Sequence, residues 1–395
     1  MDAFSPADHR YMREALALAH SGIGMVSPNP AVGAVLVKDD RVVGRGIHIY
    51  DLRKHAEVLA IEDAGPAAHG STLYLNLESC SHTGRTGPCA DAVIAAGISR
   101  VVCAIEDPNP AVSGRGFLRL RAAGISVELG LLADEARLLN ESFAKWIRTG
   151  IPFVTLKTGM SLDAKIARGT DTPVRGPSSP SGTDTKSASG GTDIPVCASP
   201  SWITSEASRT HAQGLRHASD AILVGVGTVI ADDPWLTDRT GLPRRRPLLH
   251  IVLDRQLRTP ITSRLVTGAK DDLLIVTAAG SSAQLRSCGA EIISLPQHDF
   301  WNVLLATLAA RQITSLLIEG GARIYASALN ANIVDKLALY IAPTLLGSGA
   351  LSAFSQSTPT RLQRFRAQRI EQDLLITGYL HDPYRSQGAA PCSPE

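Results

Sequence analysis

The chain has little net charge. Lys and Arg number 39 against 37 Asp and Glu, a formal +2 over 395 residues. Such a balance argues against a protein that holds nucleic acid electrostatically. Aromatic residues are scarce too, at 5%, so the basic stripe with interleaved rings of a nucleic-acid surface is missing. The local run Arg244-Arg245-Arg246 reads as a solvated loop. No apolar stretch is long enough to span a bilayer. Residues 1–22 carry Asp2, Asp8, Arg10, Arg13 and Glu14 among apolar residues, which reads as an amphipathic helix and not a signal peptide. The cysteines, at 80, 89, 103, 197, 288 and 392, are scattered. That excludes a disulfide framework and suits a reducing, cytoplasmic compartment. No Gly-x-Gly-x-x-Gly follows a strand pattern, so a Rossmann nucleotide site is not supported.

Three stretches carry chemistry instead. His55-Ala56-Glu57 opens an apolar helix pattern, and Cys80 and Pro88-Cys89 follow after a strand. One imidazole and two thiolates suit a zinc ion with a fourth position left for water. Glu57 is not a ligand in this reading. It moves a proton from the water to a ring nitrogen and on to leaving ammonia, the established pattern of zinc nucleobase deaminases. The competing reading is a closed structural knot with Cys103 or His82 as fourth ligand, which has no use for Glu57.

The chain is long for one core. Residues 1–148 alternate between helix and strand patterns: helix over 8–20, strands over 32–37 and 42–47 joined at Asp39-Asp40, the His55 helix, strand 72–77, helix 88–96, strand 100–105, helix 116–123, strand 126–128 and helix 134–147. Thr149 to Pro152 is a plausible joint. Beyond it, strands are expected from 153 to 157 and over 221–226, 248–253, 273–277, 315–318 and 336–341, with helices over 206–217, 301–310 and 322–330. The class is α/β, with helices on both sheet faces. Residues 169–201 are dominated by Gly, Pro, Ser and Thr and contain a near-repeat, Gly169-Thr170-Asp171-Thr172-Pro173-Val174 and Gly191-Thr192-Asp193-Ile194-Pro195-Val196. This segment reads as a disordered insertion, with a functional lid as the alternative.

From about Tyr11 to Leu380 the chain resembles the bacterial bifunctional deaminase–reductase family of riboflavin biosynthesis. The deaminase motifs are Pro28-Asn29-Pro30-Ala31-Val32-Gly33, Gly46-Ile47-His48, His55-Ala56-Glu57, the cysteine loop and Asp107-Pro108-Asn109-Pro110. The reductase motifs are Leu156-Lys157-Thr158, Ser161-Leu162-Asp163, Trp202-Ile203-Thr204, Gly227-Thr228-Val229, Ala231-Asp232-Asp233-Pro234 and Glu319-Gly320-Gly321-Ala322. The resemblance implies a cytidine-deaminase-like domain over 1–148 and a dihydrofolate-reductase-like domain over 152–380, with a disordered tail over 381–395. It implies zinc and NADPH as cofactors, a pyrimidine ribotide as substrate, no nucleic-acid or membrane partner, and a homo-oligomer formed through the reductase domain. It implies substrate contacts from Asn29, His48, Arg85, Asp107, Asn109, Lys157, Arg216, Leu236, Arg239 and Glu319. Gly159, Trp202, Thr228, Asp232, Gly320, Gly321 and Ala322 would line the cofactor. Turn closure competes as the role of Asn29, Asp107 and Asn109, and ion pairing as the role of Arg216, Arg239 and Lys157.

The chain departs from the family pattern in places. Ser79 and Gly87 stand where prolines are usual, and Leu52 and Ala164 where glycines are. The insertion separates Asp163 from Trp202, and the serine expected before Trp202 has no secure counterpart. A deaminase with an impaired reductase half is therefore a second reading. A nucleic-acid-editing deaminase is a third, disfavoured by the charge and the few aromatics.

Overall fold

Residues 4–81, 87–166, 202–356 and 359–384 are described by a computed structural model. The first half is a five-stranded sheet in the order Arg41–Ile47, Gly33–Lys38, Thr72–Leu77, Arg100–Ile105 and Ser126–Leu129. The first three strands are antiparallel neighbours and the rest pair in parallel. Asp39 and Asp40, at φ +50 and +60, make the hairpin turn, as a two-residue connection with matching twist requires. Gly46 determines how closely the helix Ala56–Ala64 approaches this sheet, because a Cβ there would overlap the Ala56 carbonyl oxygen. The Gly46-Ile47-His48 motif is thus partly a packing device for the helix that carries Glu57.

The expected helix over 134–147 is two helices, Ala133–Leu139 and Glu141–Thr149. The break is at Asn140, whose side chain is needed elsewhere. Its Oδ1 accepts from Ala31 N (2.8 Å) and its Nδ2 donates to Ala31 O (3.1 Å). Asn76 holds the same segment, accepting from Gly33 N and donating again to Ala31 O. A buried tertiary hydrogen-bond pair here overrides local helix propensity.

The second half is a nine-stranded sheet. Its order is Ala290–Ser294, Leu273–Thr277, Leu249–Leu253, Ala221–Gly225, Ser315–Ile318, Phe153–Ser161, Lys336–Ala342, Asp373–Tyr379 and Gln363–Ile370. Asp373–Tyr379 runs antiparallel to both its neighbours, and all other pairs are parallel. Along Ala221–Gly225 side chains alternate between two cores, Ala221 and Leu223 in one, Ile222 and Val224 in the other. Both faces are covered, as a parallel sheet demands. The chain order reverses around Phe153–Ser161, Ser315–Ile318 and Ala221–Gly225, and ligands of open α/β sheets bind at the carboxyl ends of such strands.

Several expectations need correction. The strand from 153 continues to Ser161, so Lys157 lies mid-strand and not at its end. Residues 381–384 are not a loose tail: Tyr384 Oη donates to Arg137 O (3.0 Å), and Arg148 Nη1 donates to Pro383 O (2.8 Å). Residues 385–395 and the expected insertion over 169–201 lie outside the described residues. The arginine run is not solvated. Arg244 donates to the carbonyls of His217 (2.7 Å) and Ser219 (2.6 Å), Arg246 to that of Gln312 (2.9 Å), and Arg245 crosses to the first half.

The halves are joined by charge. Lys145 Nζ reaches both carboxylate oxygens of Asp335 at 2.6 and 2.7 Å, with both side chains buried. Lys336 pairs with Glu141 at 2.7 Å, and Tyr379 Oη donates to the same carboxylate. Ala164 has φ +55. A Cβ in that left-handed region costs about 1–2 kcal/mol, so alanine where the family has glycine strains the turn. The turn is held nonetheless, since Asp163 accepts from Leu346 N (3.1 Å) and Gly347 N (2.8 Å). No helix among the described residues is long and apolar enough to cross a membrane.

Candidate active sites

His55 is the N-cap of Ala56–Ala64, Cys89 is the first residue of Cys89–Ala95, and Cys80 follows the strand Thr72–Leu77. Strand ends and helix starts deliver all three to one point. Their ligand atoms lie within 4.8 Å of one another. His55 Nδ1 is 3.0 Å from Cys89 Sγ and 3.6 Å from Cys80 Sγ, and Cys89 N donates to Cys80 Sγ at 3.3 Å. Hydrogen bonds from Cys89 and His55 outweigh burial and pull the Cys80 thiol down to about 4. A thiolate beside an imidazole and a second sulfur is a donor set that fits zinc with a position to spare. Cys103 is no fourth ligand, because its Sγ donates to Ile105 O at 3.2 Å. His82 lies outside the described residues, as does Arg85.

Glu57 sits in the first helical turn, buried, and burial pushes its carboxyl up while His55 pulls it down. Beside it, His48 is buried and its ring centroid is 5.3 Å from that of His55, edge-on. Its Nδ1 bonds to Lys54 O (3.0 Å) and its Nε2 to Asn29 Nδ2 (3.0 Å). A carbonyl partner requires Nδ1 to donate, so Nε2 accepts from the Asn29 amide. Burial also pushes His48 down, toward the neutral form. Neither spacing nor periodicity signals this pairing. Asp107 and Asn109 close their own turn: Asn109 N donates to Asp107 Oδ1 (2.8 Å) and Ala111 N to Asn109 Oδ1 (3.0 Å). Burial raises Asp107 to about 7 despite the Asn109 bond.

Glu78 was not anticipated. Its carboxylate accepts from the backbone N–H of Asp107 (3.1 Å), Gly114 (2.9 Å), Gly116 (2.8 Å) and Phe117 (3.3 Å). It ties the 107–117 segment to the strand end that leads to Cys80. An acidic residue two before the first cysteine was the one available clue.

In the second half Glu319 is the hub. Its side chain is 6% exposed and takes Arg216 bidentately, Nε at 2.8 Å and Nη2 at 2.9 Å, with Lys157 Nζ at 3.5 Å. Burial would raise this carboxyl, but Lys157 and Arg216 hold it at about 2. Arg216 Nη1 donates to Thr237 O (3.0 Å). Three of its five N–H groups thus bond protein partners. Leu236 is buried in a core at φ +51. Arg239 is exposed and engages Gln213 only through its backbone N–H.

Gly320 and Gly321 differ. A Cβ on Gly320 would come within 2.7 Å of Val224 Cα, so close strand packing requires that glycine. Gly321, at φ +61, is the N-cap of Ala322–Asn330, and a Cβ there would point at Thr228 Oγ1, 3.6 Å away. That leaves an open cradle with a hydroxyl beside a helix N-terminus, which fits a cofactor phosphate. Gly159, in Phe153–Ser161, adjoins Thr204, whose Cγ2 would be 3.3 Å from an added Cβ. Trp202 is 73% exposed under Arg209, 5.0 Å from its ring centroid. Asp232 ends the helix Val226–Asp232, and Ala322 is buried at the start of its helix.

The cytidine and deoxycytidylate deaminase zinc-binding region is matched by residues 5–105, and the RibD C-terminal domain by residues 152–376. Riboflavin biosynthesis protein RibD of Aquifex aeolicus is 37% identical over 375 residues, spanning 93% of this chain and 97% of that protein. The Escherichia coli protein of the same name is 40% identical, over 87% and 89% of the two chains. Among solved structures, Acinetobacter baumannii RibD superposes with a TM-score of 0.76 at 33% identity, covering 94% of this chain and 98% of its own. The Thermotoga maritima diaminohydroxyphosphoribosylaminopyrimidine deaminase/5-amino-6-(5-phosphoribosylamino)uracil reductase gives 0.75 at 30% identity, over 94% and 98%. Two matched domains in this order, with RibD proteins matched over most of both chains, place the chain in the RibD family of riboflavin biosynthesis proteins.

Proposed function

We propose that this chain carries out two consecutive steps of riboflavin biosynthesis on one pyrimidine ribotide. Residues 1–148 deaminate 2,5-diamino-6-(5-phosphoribosylamino)pyrimidin-4(3H)-one. Residues 152–380 then use NADPH to reduce the ribosyl chain of the product to ribityl. The observation that carries the reading is the convergence of His55, Cys80 and Cys89 beside the buried carboxyl of Glu57.

His55, Cys80 and Cys89 would hold zinc, which supplies a water acidic enough to attack near neutral pH. Glu57 takes the proton of the attacking water and passes it to the ring nitrogen. A C–O bond forms; Glu57 then takes the remaining proton of the new hydroxyl and hands it to the amino group, so that the C–N bond breaks, the carbonyl forms and ammonia leaves. Asn29, oriented by His48, presents its free carbonyl oxygen to the substrate. Arg85 is assigned to the ribose phosphate by charge, and Asp107 and Asn109 shape the wall of the site.

In the reductase half Lys157, with its Nζ 3.5 Å from Glu319 Oε2, is the cation offered to the sugar. Gly321, Thr228 and the start of the helix Ala322–Asn330 receive the cofactor phosphate, with Gly159, Trp202 and Asp232 around the remainder. Homo-oligomerisation through this half has support in the edge strand Gln363–Ile370. Seven of its eight residues are exposed, Phe365 to 66%, and an uncovered edge is a template for pairing.

Chelation separates the two steps. Stripping the metal is expected to abolish ammonia release and to leave reduction of separately supplied deaminated ribotide intact, with about one zinc per chain restoring the first step. Deamination that survives with no measurable metal would contradict the reading.

A further inference from the structure

Arg245 belongs to the reductase half, between the helix Val226–Asp232 and the strand Leu249–Leu253, yet its contacts are with the deaminase half. Its backbone N donates to Gly24 O (2.9 Å). Its Nη1 donates to Ser27 O (3.1 Å), its Nε lies 3.2 Å from Asp51 Oδ1, and its Cζ stands 3.8 Å from the centroid of the Tyr50 ring. The side chain is 19% exposed. A planar guanidinium can stack on a ring and donate sideways at once, which an ammonium cannot.

These contacts bear on two turns together. Ser27 lies two residues before Asn29, and Tyr50 two residues after His48. Tyr50 N donates to Met25 O (3.2 Å), so the turns also bond to each other. Between them Asn29 and His48 make their 3.0 Å bond, with the His48 ring against His55. Neighbouring groups brace the clamp: Arg246 Nη2 donates to Ser27 Oγ (3.2 Å), and Ser27 Oγ donates to Asp220 Oδ2 (2.8 Å).

We propose that Arg245 is a positioning residue for deamination, supplied by the reductase half: it clamps the two turns that carry Asn29 and His48 and so fixes that pair against the zinc ligands. This rests on the reading of Asn29 as a substrate contact. A loosened pair weakens substrate placement more than the proton transfers at Glu57, so the effect belongs in KM.

The test uses the full-length, zinc-loaded protein with the diaminopyrimidinone ribotide. Arg245→Met is expected to raise the deaminase KM about tenfold and to change kcat less than about threefold. Zinc content and reductase kcat/KM on the deaminated ribotide should stay at wild type. Arg245→Lys should fall between, since it keeps a cation over Tyr50 and loses the fork. An unchanged KM in Arg245→Met would overturn the proposal, and so would an equal loss of both activities, which would mark a simple domain fastener. Should Arg245→Met not fold, Asp51→Asn carries the test at a 64% exposed side chain. About a threefold rise in KM is expected there, and none would overturn the proposal. Asn29→Ala separates the two ideas: a wild-type KM in that variant refutes the substrate role of Asn29 itself.

Discussion

Glu57→Gln is expected to lower the deaminase kcat by about 10²–10⁴-fold, the usual worth of a positioned general acid–base group. The amide keeps the size of the side chain and cannot carry the proton. His55, Cys80 and Cys89 are untouched, so zinc should stay bound at the wild-type ratio. Reduction of the deaminated ribotide should also be unchanged, because the Lys157–Glu319–Arg216 cluster lies in the other half. Ammonia release, metal content and NADPH oxidation, measured on one preparation, check all three. A variant that loses its zinc along with its activity would mean that Glu57 holds the site together and does not serve as proton carrier. Retained deamination would remove it from the mechanism.

Glu319→Ala should have the largest effect on stability. It leaves Arg216 and Lys157 without their carboxylate in a place where Arg216 is 13% and Lys157 20% exposed. Removing one partner of a buried ion pair costs about 3–5 kcal/mol. The reductase half should therefore unfold at clearly lower denaturant, and NADPH-dependent reduction should disappear. The sign with pH is fixed by the depressed carboxyl of Glu319 at about 2. A group held below its unfolded value stabilises the fold above that value, and the contribution is lost as pH falls through the folded one. The wild-type advantage over Glu319→Ala should thus be full at neutral pH and shrink as pH drops from about 4 toward 2. Equal denaturation midpoints at neutral pH would contradict the account of Glu319 as hub.

The zinc site was legible because metal chemistry restricts residue type. Few patterns other than a catalytic site put His, Glu and two cysteines around a helix start and a strand end. The strands 72–77, 100–105, 273–277 and 315–318 were equally plain, since buried strands read as apolar runs. What escaped depends on partners distant in sequence. Arg216 and Glu319 are 103 residues apart, and no spacing rule joins them. Arg244-Arg245-Arg246 resembles a solvated run because its partners, carbonyls of its own half and of the other, lie far away in the chain. The strand Gln363–Ile370 has no apolar alternation, because it is an exposed edge and seven of its eight residues face no core. The helix over 134–147 was read as continuous because its break serves Ala31, far away in the chain. The doubt over Ala164 was well founded, since its φ is +55, but Asp163 and the 346–347 backbone hold that turn in place.

The central claim is that one chain deaminates and then reduces the same ribotide. The most direct measurement is the mass of the product after the zinc-loaded protein is incubated with the diaminopyrimidinone ribotide and NADPH. The account predicts a product both deaminated and reduced, 5-amino-6-(5-phosphoribitylamino)uracil. Unchanged ribotide from folded, metal-bound protein would contradict the roles given to His55, Glu57, Cys80 and Cys89, and a product deaminated but never reduced would contradict the role given to the second half.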